Sequence, residues 1–441
     1  MSPVRRCCVV SRRRMAGLSL IEMMIALVMA LIVAAGIISV FASTSSSNKV
    51  QSQLAALQEE GRFAIQSLRA DLSNANGGYC SNSGGNAGVT ASGLYLDSLR
   101  SPTIYSSTNI APASGGTAAF ADNTVTLSDP TEAYSLPSSM FMRGYECTIS
   151  TCTPTGLANL VAAGVPAMGT AVGARVPGAD VLTIRYLRPG SGWALAAGGS
   201  SLTVGSPTTI TLTPLPGEDP AADFTGSLAM LADCSNAQVF AVTGGGSGTL
   251  TVLGTGSGNY AQPLDISKGA APRVFDFDHD FQTVTYYLRV VDAGNGHTTG
   301  ELVRRVNGVN QPLVRGVERL DFRYGIIDAN GNTEFLKADE VSDAKGGTIA
   351  CPPGVPIDGG MGDAGCLWRA VQTIQVNILM DGQTPLYTLT PAEMGYIYTP
   401  DGGTTPTLPS AHGISPAAQG FPNQLLRREF TTVVALRNFN P

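Results

Sequence analysis

Glu22 stands at the mouth of an apolar run, and Met23 through Phe41 carries no charge at all. No other segment limits the fold so tightly. A run this long suits a helix in hydrocarbon or a helix packed among other apolar helices. An acidic side chain there is costly, roughly 2.5–3.5 kcal/mol at the centre of a membrane helix and less near its end. A plain anchor has no use for it, so Glu22 requires a compensating partner. Upstream lie Arg5, Arg6, Arg12, Arg13 and Arg14, with no acidic residue before Gly17. That bias holds the N-terminus on the cytoplasmic side. Setting those five arginines aside leaves 22 of the 27 basic residues against 33 acidic ones, a formal balance of −11. An acidic body of this kind argues against general nucleic-acid binding, which needs a basic face.

A secretory signal peptide has an apolar core of about 7–15 residues and a small-residue cleavage site; this run is longer and begins with Ser19 and Glu22. An ordinary anchor fits the length, since Leu18 to Ala42 spans 25 residues, about 37 Å of helix against a hydrocarbon core of about 30 Å. It leaves Glu22 unexplained. The basic leader, Gly17, Leu18-Ser19-Leu20-Ile21-Glu22 and the apolar run together resemble the class III signal of type IV pilins and their relatives. The resemblance implies that a prepilin peptidase cuts after Gly17 on the cytoplasmic face and methylates the new amine of Leu18, where the family more often has Phe. Cleavage exposes a positive amine. In a staggered bundle of such helices Glu22 can face the amine of a neighbouring subunit, an attraction of about 4 kcal/mol at about 4 Å and an effective dielectric near 20. Snorkelling to the headgroups is the alternative for a monomer in the membrane.

The helix is expected to continue beyond the membrane, because serine and threonine at Ser43–Ser47 weaken it only modestly. Val50, Leu54, Leu57, Gly61, Ile65, Leu68 and Leu72 recur on one helical face, and Asn74 to Gly78 reads as a stop. Leu18 to Asn74 makes a helix of about 85 Å, kinks aside.

The remainder reads as β structure with many loops. Charged residues are only 14% of the chain, against about 25% in a typical soluble domain, which suits an extracytoplasmic β-rich body. Expected strands are Leu94–Leu99, Asn123–Leu127, Asp180–Leu187, Thr208–Thr213, Gln238–Thr243, Thr249–Leu253, Thr283–Val291, Glu301–Val306, Val317–Ile327, Val371–Leu379, Leu386–Thr390 and Thr431–Arg437. Thr283–Val291 and Glu301–Val306 flank Asp292 to Gly296 as a hairpin. The fold class expected is α+β: a long N-terminal helix packed on a β-rich, loop-rich head. The organisation expected is a leader at 1–17, a membrane or filament helix at 18–42, its amphipathic continuation at 43–76, a Gly/Ser-rich variable region at 77–175 and a β-rich head at 176–441.

Cys7 and Cys8 leave with the leader, and Cys80, Cys147, Cys152, Cys234, Cys351 and Cys366 remain. An even number beyond a membrane suits disulfides. Short loops favour Cys147–Cys152 and Cys351–Cys366, with Cys80–Cys234 by elimination. Zinc is the rival, but these spacings lack nearby histidines.

Several stretches resemble the PilW type of minor pilin: Gly178 to Tyr186, Asp233-Cys234-Ser235, Val314 to Leu320, Phe322 to Gly325 and Val434 to Asn438. The resemblance implies a place with other minor pilins at a pilus tip, priming assembly and helping to present a PilY-type adhesin, in contact with the major pilin, the prepilin peptidase and the inner-membrane assembly platform. It implies an inner-membrane precursor with a periplasmic head that later reaches the pilus.

Catalytic candidates are thin. His279, His297 and His412 lie far apart and no G-x-S-x-G is present, so no enzyme and no cofactor are expected. Gly360 to Gly365 spells G-x-G-x-x-G without the strand–turn–helix context that dinucleotide binding needs. Asp276, Asp278 and Asp280 alternate with Phe275, Phe277 and His279, a strand-like acidic face that makes them weak calcium candidates. Asp328 to Glu334 reads better as an Asn-Gly turn than as a calcium loop. A minor pilin is the leading reading; a J-type pseudopilin of type II secretion and a membrane-anchored surface binder or exo-enzyme are the alternatives.

Overall fold

A single α-helix, α1, runs Leu20–Leu72. The computed structural model describes residues 19–79, 88–90, 93–95, 101–110, 130–196, 208–214, 224, 227–233, 236–245, 248–263, 271–294, 296–327, 332–351, 359–360, 362–363 and 365–436. The basic leader, Gly17, Leu18, Cys80, Cys234, the expected strand Asn123–Leu127 and Asp328 to Gly331 of the expected turn lie outside these residues. The chain divides into two compact units, residues 1–53 and residues 54–441.

In the first unit the serine-rich stretch stays helical. Thr44 Oγ1 donates to the Val40 carbonyl at 2.8 Å, so a hydroxyl that competes for backbone elsewhere is satisfied within the helix.

In the second unit α1 buries Leu57, Gly61, Ala64, Leu68, Asp71 and Leu72. Leu57, Leu68 and Leu72 fall as the periodicity predicts; Leu54 stays exposed and Ala64 joins the buried face. The backbone turns at Ser73–Asn76, as the Asn/Gly run predicts.

The helix packs on two antiparallel sheets. One is built from β1 (Met142–Cys147), β2 (Cys152–Thr153), β3 (Val181–Leu187), β4 (Phe281–Gly294), β5 (His297–Val306) and β6 (Val309–Arg315), in the order β6-β5-β4-β3-β1-β2. The other is built from β7 (Val317–Ile327), β8 (Thr333–Leu336), β9 (Val371–Asp381) and β10 (Arg427–Ala435), in the order β8-β7-β9-β10. Leu182, Ile184, Val284, Tyr286 and Leu288 from the first sheet and Phe322, Ile374, Val376 and Val434 from the second join the helix face in one core. β4 is buried on both sides, because Tyr287 faces a second cluster with Tyr145, Val181 and Val303. That double burial matches its nearly unbroken run of β-branched and aromatic residues. β6 is an edge strand and carries Pro312, a residue tolerated there because the outer N–H has no ladder partner to lose.

Between β3 and β4 the chain builds a further body. Leu228–Ala232, Arg273–Asp276, Trp193–Leu195, Thr208–Thr213, Thr249–Val252 and Ala237–Gly245 pair antiparallel in that order, and the last returns to the first. The ring buries Ile210, Leu212, Leu231, Phe240, Val242, Leu250, Val252 and Val274 in one cluster. Their neighbours Met230, Val239 and Phe275 pack with Leu187 and Phe281 in another. Leu187 and Phe281 are themselves cross-strand partners, so the chain leaves and re-enters the sheet at one place.

Two expectations fail. Leu386–Thr390 is not a strand. It forms turns, and Thr390 caps the short helix Pro391–Met394 through reciprocal bonds with Glu393; the proline at the first helical position and the carboxylate at the third outweigh the β propensity of Leu and Thr. Asp276, Asp278 and Asp280 do not share a strand face, because Phe277–Asp280 is a helical turn. The expected hairpin is present and longer than read, β4 and β5 extending to Gly294 and His297.

Candidate assembly site

Ser19 immediately precedes the helix, and its N–H donates to Glu22 Oε2 at 3.2 Å. This is one half of a capping box: the carboxylate at the third helical position satisfies a backbone donor left orphaned at the helix start. From Leu20 to Phe41 every large apolar side chain is more than half exposed. By length and composition the helix is long and apolar enough to cross a membrane. The only carboxylate in this apolar segment therefore sits at its very beginning, where the helix dipole favours negative charge.

At the other end of α1 lies a second constellation that the sequence did not reveal. Asp71, in the last helical turn, accepts from Tyr186 Oη at 3.0 Å and from Tyr286 Oη at 2.7 Å. Arg304 closes on the same carboxylate with both nitrogens, Nε to Oδ2 at 2.5 Å and Nη2 to Oδ1 at 3.1 Å. An acid is disfavoured at a helix C-terminus, and this bidentate pair supplies the missing compensation. Tyr286 and Arg304 are direct cross-strand partners on β4 and β5, and Tyr186 comes from β3. Burial first, then the Asp71 charge, pushes both phenols up, so they remain donors. Burial alone would lower the Arg304 guanidinium, but its hydrogen bond to Asp71 raises it. In sequence, the only signal was a pair of tyrosines on core-facing strand positions, where a buried hydroxyl needs a partner.

The glycine at position 61 sets the helix-to-sheet spacing. A Cβ there would overlap the ring of Phe430 on β10. Nearby, Gln383 Nε2 donates to Glu60 Oε2 at 2.8 Å.

A fully buried pair anchors the last strand: Arg427 Nε and Nη2 reach Glu318 Oε2 and Oε1 at 2.7 and 2.8 Å. Beside it Asp381 accepts from Thr299 Oγ1 and from the Gln383 N–H. Burial, reinforced by the Glu318 charge, pushes the Asp381 carboxyl up to about 7.

The histidines stay apart. His279 lies beside Asp280, His297 opens β5, and His412 sits between Asp401 (Nδ1 to Oδ2, 2.9 Å) and Thr407 (Nε2 to Oγ1, 3.0 Å). The Asp401–His412–Thr407 order is that of an activated hydroxyl. However, the Thr407 N–H is spent on the Tyr396 carbonyl and the imidazole is stacked on the Tyr396 ring, so the three groups tie a long connection together. Asp280 is held by Arg188 at 2.8 Å, and Asp278 accepts the Ser227 N–H. Among the described residues no group of three His, Cys, Asp or Glu could hold a metal ion. Cys147–Cys152 and Cys351–Cys366 are disulfides.

Residues 12–38 match the model of the prokaryotic N-terminal methylation motif, and residues 285–438 match that of type IV pilus-assembly protein W, PilW. Together these are the marks of a pilin-like chain with a class III signal. The PilW match starts within β4, just after the chain returns from the ring, and holds Tyr286 and Arg304 of the Asp71 constellation. Of the stretches resembling PilW in sequence, those from Val314 onward lie within it; Gly178 to Tyr186 and Asp233 to Ser235 lie outside. No curated protein and no solved structure matches the chain. The PilW and methylation matches support a type IV pilus-associated minor pilin, and with the apolar helix they fit a membrane-anchored one that interacts with other pilus components.

Proposed function

We propose that the chain is a minor pilin that primes or caps a type IV pilus by packing its N-terminal helix among those of other pilins, and that it acts by assembly and not by catalysis. The observation that carries this reading is the exposed apolar helix face that begins at Glu22. Such a face must be covered by lipid before assembly and by neighbouring helices after it.

Prepilin peptidase cuts between Gly17 and Leu18 on the cytoplasmic side and methylates Leu18. Glu22 then leaves its local bond to Ser19 and pairs with the amine of an adjacent subunit, which fixes axial register because both charges are otherwise stranded in an apolar bundle. Before assembly the chain is a single-pass inner-membrane protein with its head in the periplasm. In the pilus it joins a tip complex with other minor pilins and a PilY-type adhesin.

Mass spectrometry of the N-terminus from cells with and without prepilin peptidase tests this. Methylated Leu18 as first residue, only where the peptidase is present, is the expected result; an intact leader in both strains, or a cut near Ala42, overturns it. A deletion strain is expected to lose surface pili and twitching. Retained pili with blocked exoprotein export would transfer the chain to type II secretion.

A further inference from the structure

The Cys147–Cys152 disulfide links directly opposed residues of the β1–β2 hairpin. That hairpin is already closed without it. The Thr148 N–H donates to the Thr151 carbonyl at 2.7 Å, and Thr148 Oγ1 accepts from the N–H groups of Ser150 and Thr151. A cross-link over so short and pre-closed a loop removes little chain entropy.

Against this bond lies Arg175, only 2% exposed. Its Nη1 is 3.4 Å from Cys147 Sγ and its Nη2 is 3.6 Å from Cys152 Sγ. Among the described residues no carboxylate forms an ion pair with Arg175, and its Nε is buried without an acceptor. Asp180, whose charge acts on Arg175, directs its oxygens to the N–H groups of Cys147 and Phe322. Burial, with the charges of Asp321 and Glu146, pushes Asp180 well above the usual carboxylate range. Burial lowers the Arg175 guanidinium to about 10, and the Asp180 charge offsets that only in part. A buried cation whose acceptors are two neutral sulfurs is poorly compensated while the disulfide is closed, and well compensated once one sulfur becomes a thiolate.

We propose that Cys147–Cys152 is an exchange-competent disulfide whose reduced form is held by Arg175, and that its substrate class is a dithiol reductant. Cys147 is buried and Cys152 is half-buried, so attack comes at Cys152. A thiolate of the dithiol bonds to Cys152 Sγ, the Cys147–Cys152 bond breaks, and Cys147 leaves with the electron pair as a thiolate against Arg175. The second thiol of the reductant loses its proton to water and attacks its own mixed-disulfide sulfur. Cys152 leaves as a thiolate and takes up one proton. The reductant departs as a disulfide, having given two electrons, and one proton remains in solution.

The test uses the full chain in detergent, equilibrated in dithiothreitol redox buffers, with each cysteine read by alkylation and mass spectrometry. Cys147–Cys152 is expected to open where Cys351–Cys366 stays closed, without loss of folded structure. Arg175→Met is expected to lower the equilibrium constant for reduction about tenfold, or about 30 mV for this two-electron couple. Equal equilibria in Arg175→Met and wild type, or unfolding on reduction, overturn the proposal. Cys152→Ser, which leaves Cys147 as a free thiol, supplies a readout that packing alone would not move. Its alkylation midpoint is expected well below the ordinary thiol value of about 8.5, and an ordinary midpoint overturns the proposal even if Arg175→Met fails to fold. Arg175→Lys, which keeps the charge, is expected to retain most of the lowering.

Discussion

Arg304 holds Asp71 with two nitrogens, and in doing so a β-strand grips the final turn of α1. The contact joins residues more than two hundred positions apart in the chain. Both side chains are largely withdrawn from water, so removing one partner leaves the other uncompensated.

Asp71→Ala is expected to destabilise the head by about 2–4 kcal/mol, somewhat below the roughly 3–5 kcal/mol of a fully buried pair because some exposure remains. Tyr186→Phe should cost only about 1 kcal/mol, the loss of one hydrogen bond. Denaturant unfolding of Asp71→Asn, Arg304→Gln and the double variant gives the coupling directly. A coupling indistinguishable from zero would show that the pair does not grip the helix.

Gly61 inverts the usual helix rule. Glycine to alanine inside a helix normally gains about 1 kcal/mol. Here the added methyl collides with Phe430, so Gly61→Ala is expected to destabilise by about 1–3 kcal/mol. Phe430→Leu in the same chain should recover most of the loss, as measured by thermal melting of the double variant.

Asp381 makes stability fall as pH rises. Its folded carboxyl titrates near 7, above the unfolded value near 3.8. Between those values the folded state binds more protons than the unfolded one, so this contribution is full below about pH 4 and is lost progressively up to about pH 7. Asp381→Asn cannot ionise and should flatten that slope. Melting temperatures of both proteins at pH 5 and pH 8 decide it; equal pH dependence in the two would remove Asp381 as the source.

Glu22→Ala leaves the residues around the Gly17–Leu18 bond unchanged, so cleavage should proceed normally. Incorporation into sheared pili should drop several-fold. Normal incorporation on immunoblots of the pilus fraction would show that Glu22 is not the register-setting charge.

The stem was legible because its signals are local: an uncharged run, a periodic apolar face and an Asn/Gly stop. The hairpin of β4 and β5 and the strand Val317–Ile327 were legible for the same reason. Asp71 was not, since an acid in an amphipathic helix reads the same whether it meets water or a distant arginine. Three strands of the ring, Thr208–Thr213, Gln238–Thr243 and Thr249–Leu253, are legible as strands; Trp193–Leu195, Leu228–Ala232 and Arg273–Asp276 are not, and neither is the closure, because the pairing partners lie far apart in sequence. Leu386–Thr390 has the β propensity of a strand, but Thr390-Pro391-Ala392-Glu393 spells a helix start, and that local signal wins. The PilW match picks out the part of the head where Arg304 meets Asp71, and leaves out Asp71 itself.

The ring enters and leaves the sheet through a single facing pair, Leu187 and Phe281. The ends of any segment spliced there are already side by side, and the entropy of closing such a segment rises only slowly with its length. The seam thus behaves as a socket. What is plugged into it can be enlarged, exchanged or pared to a tight turn, while the strands that hold the helix keep their register.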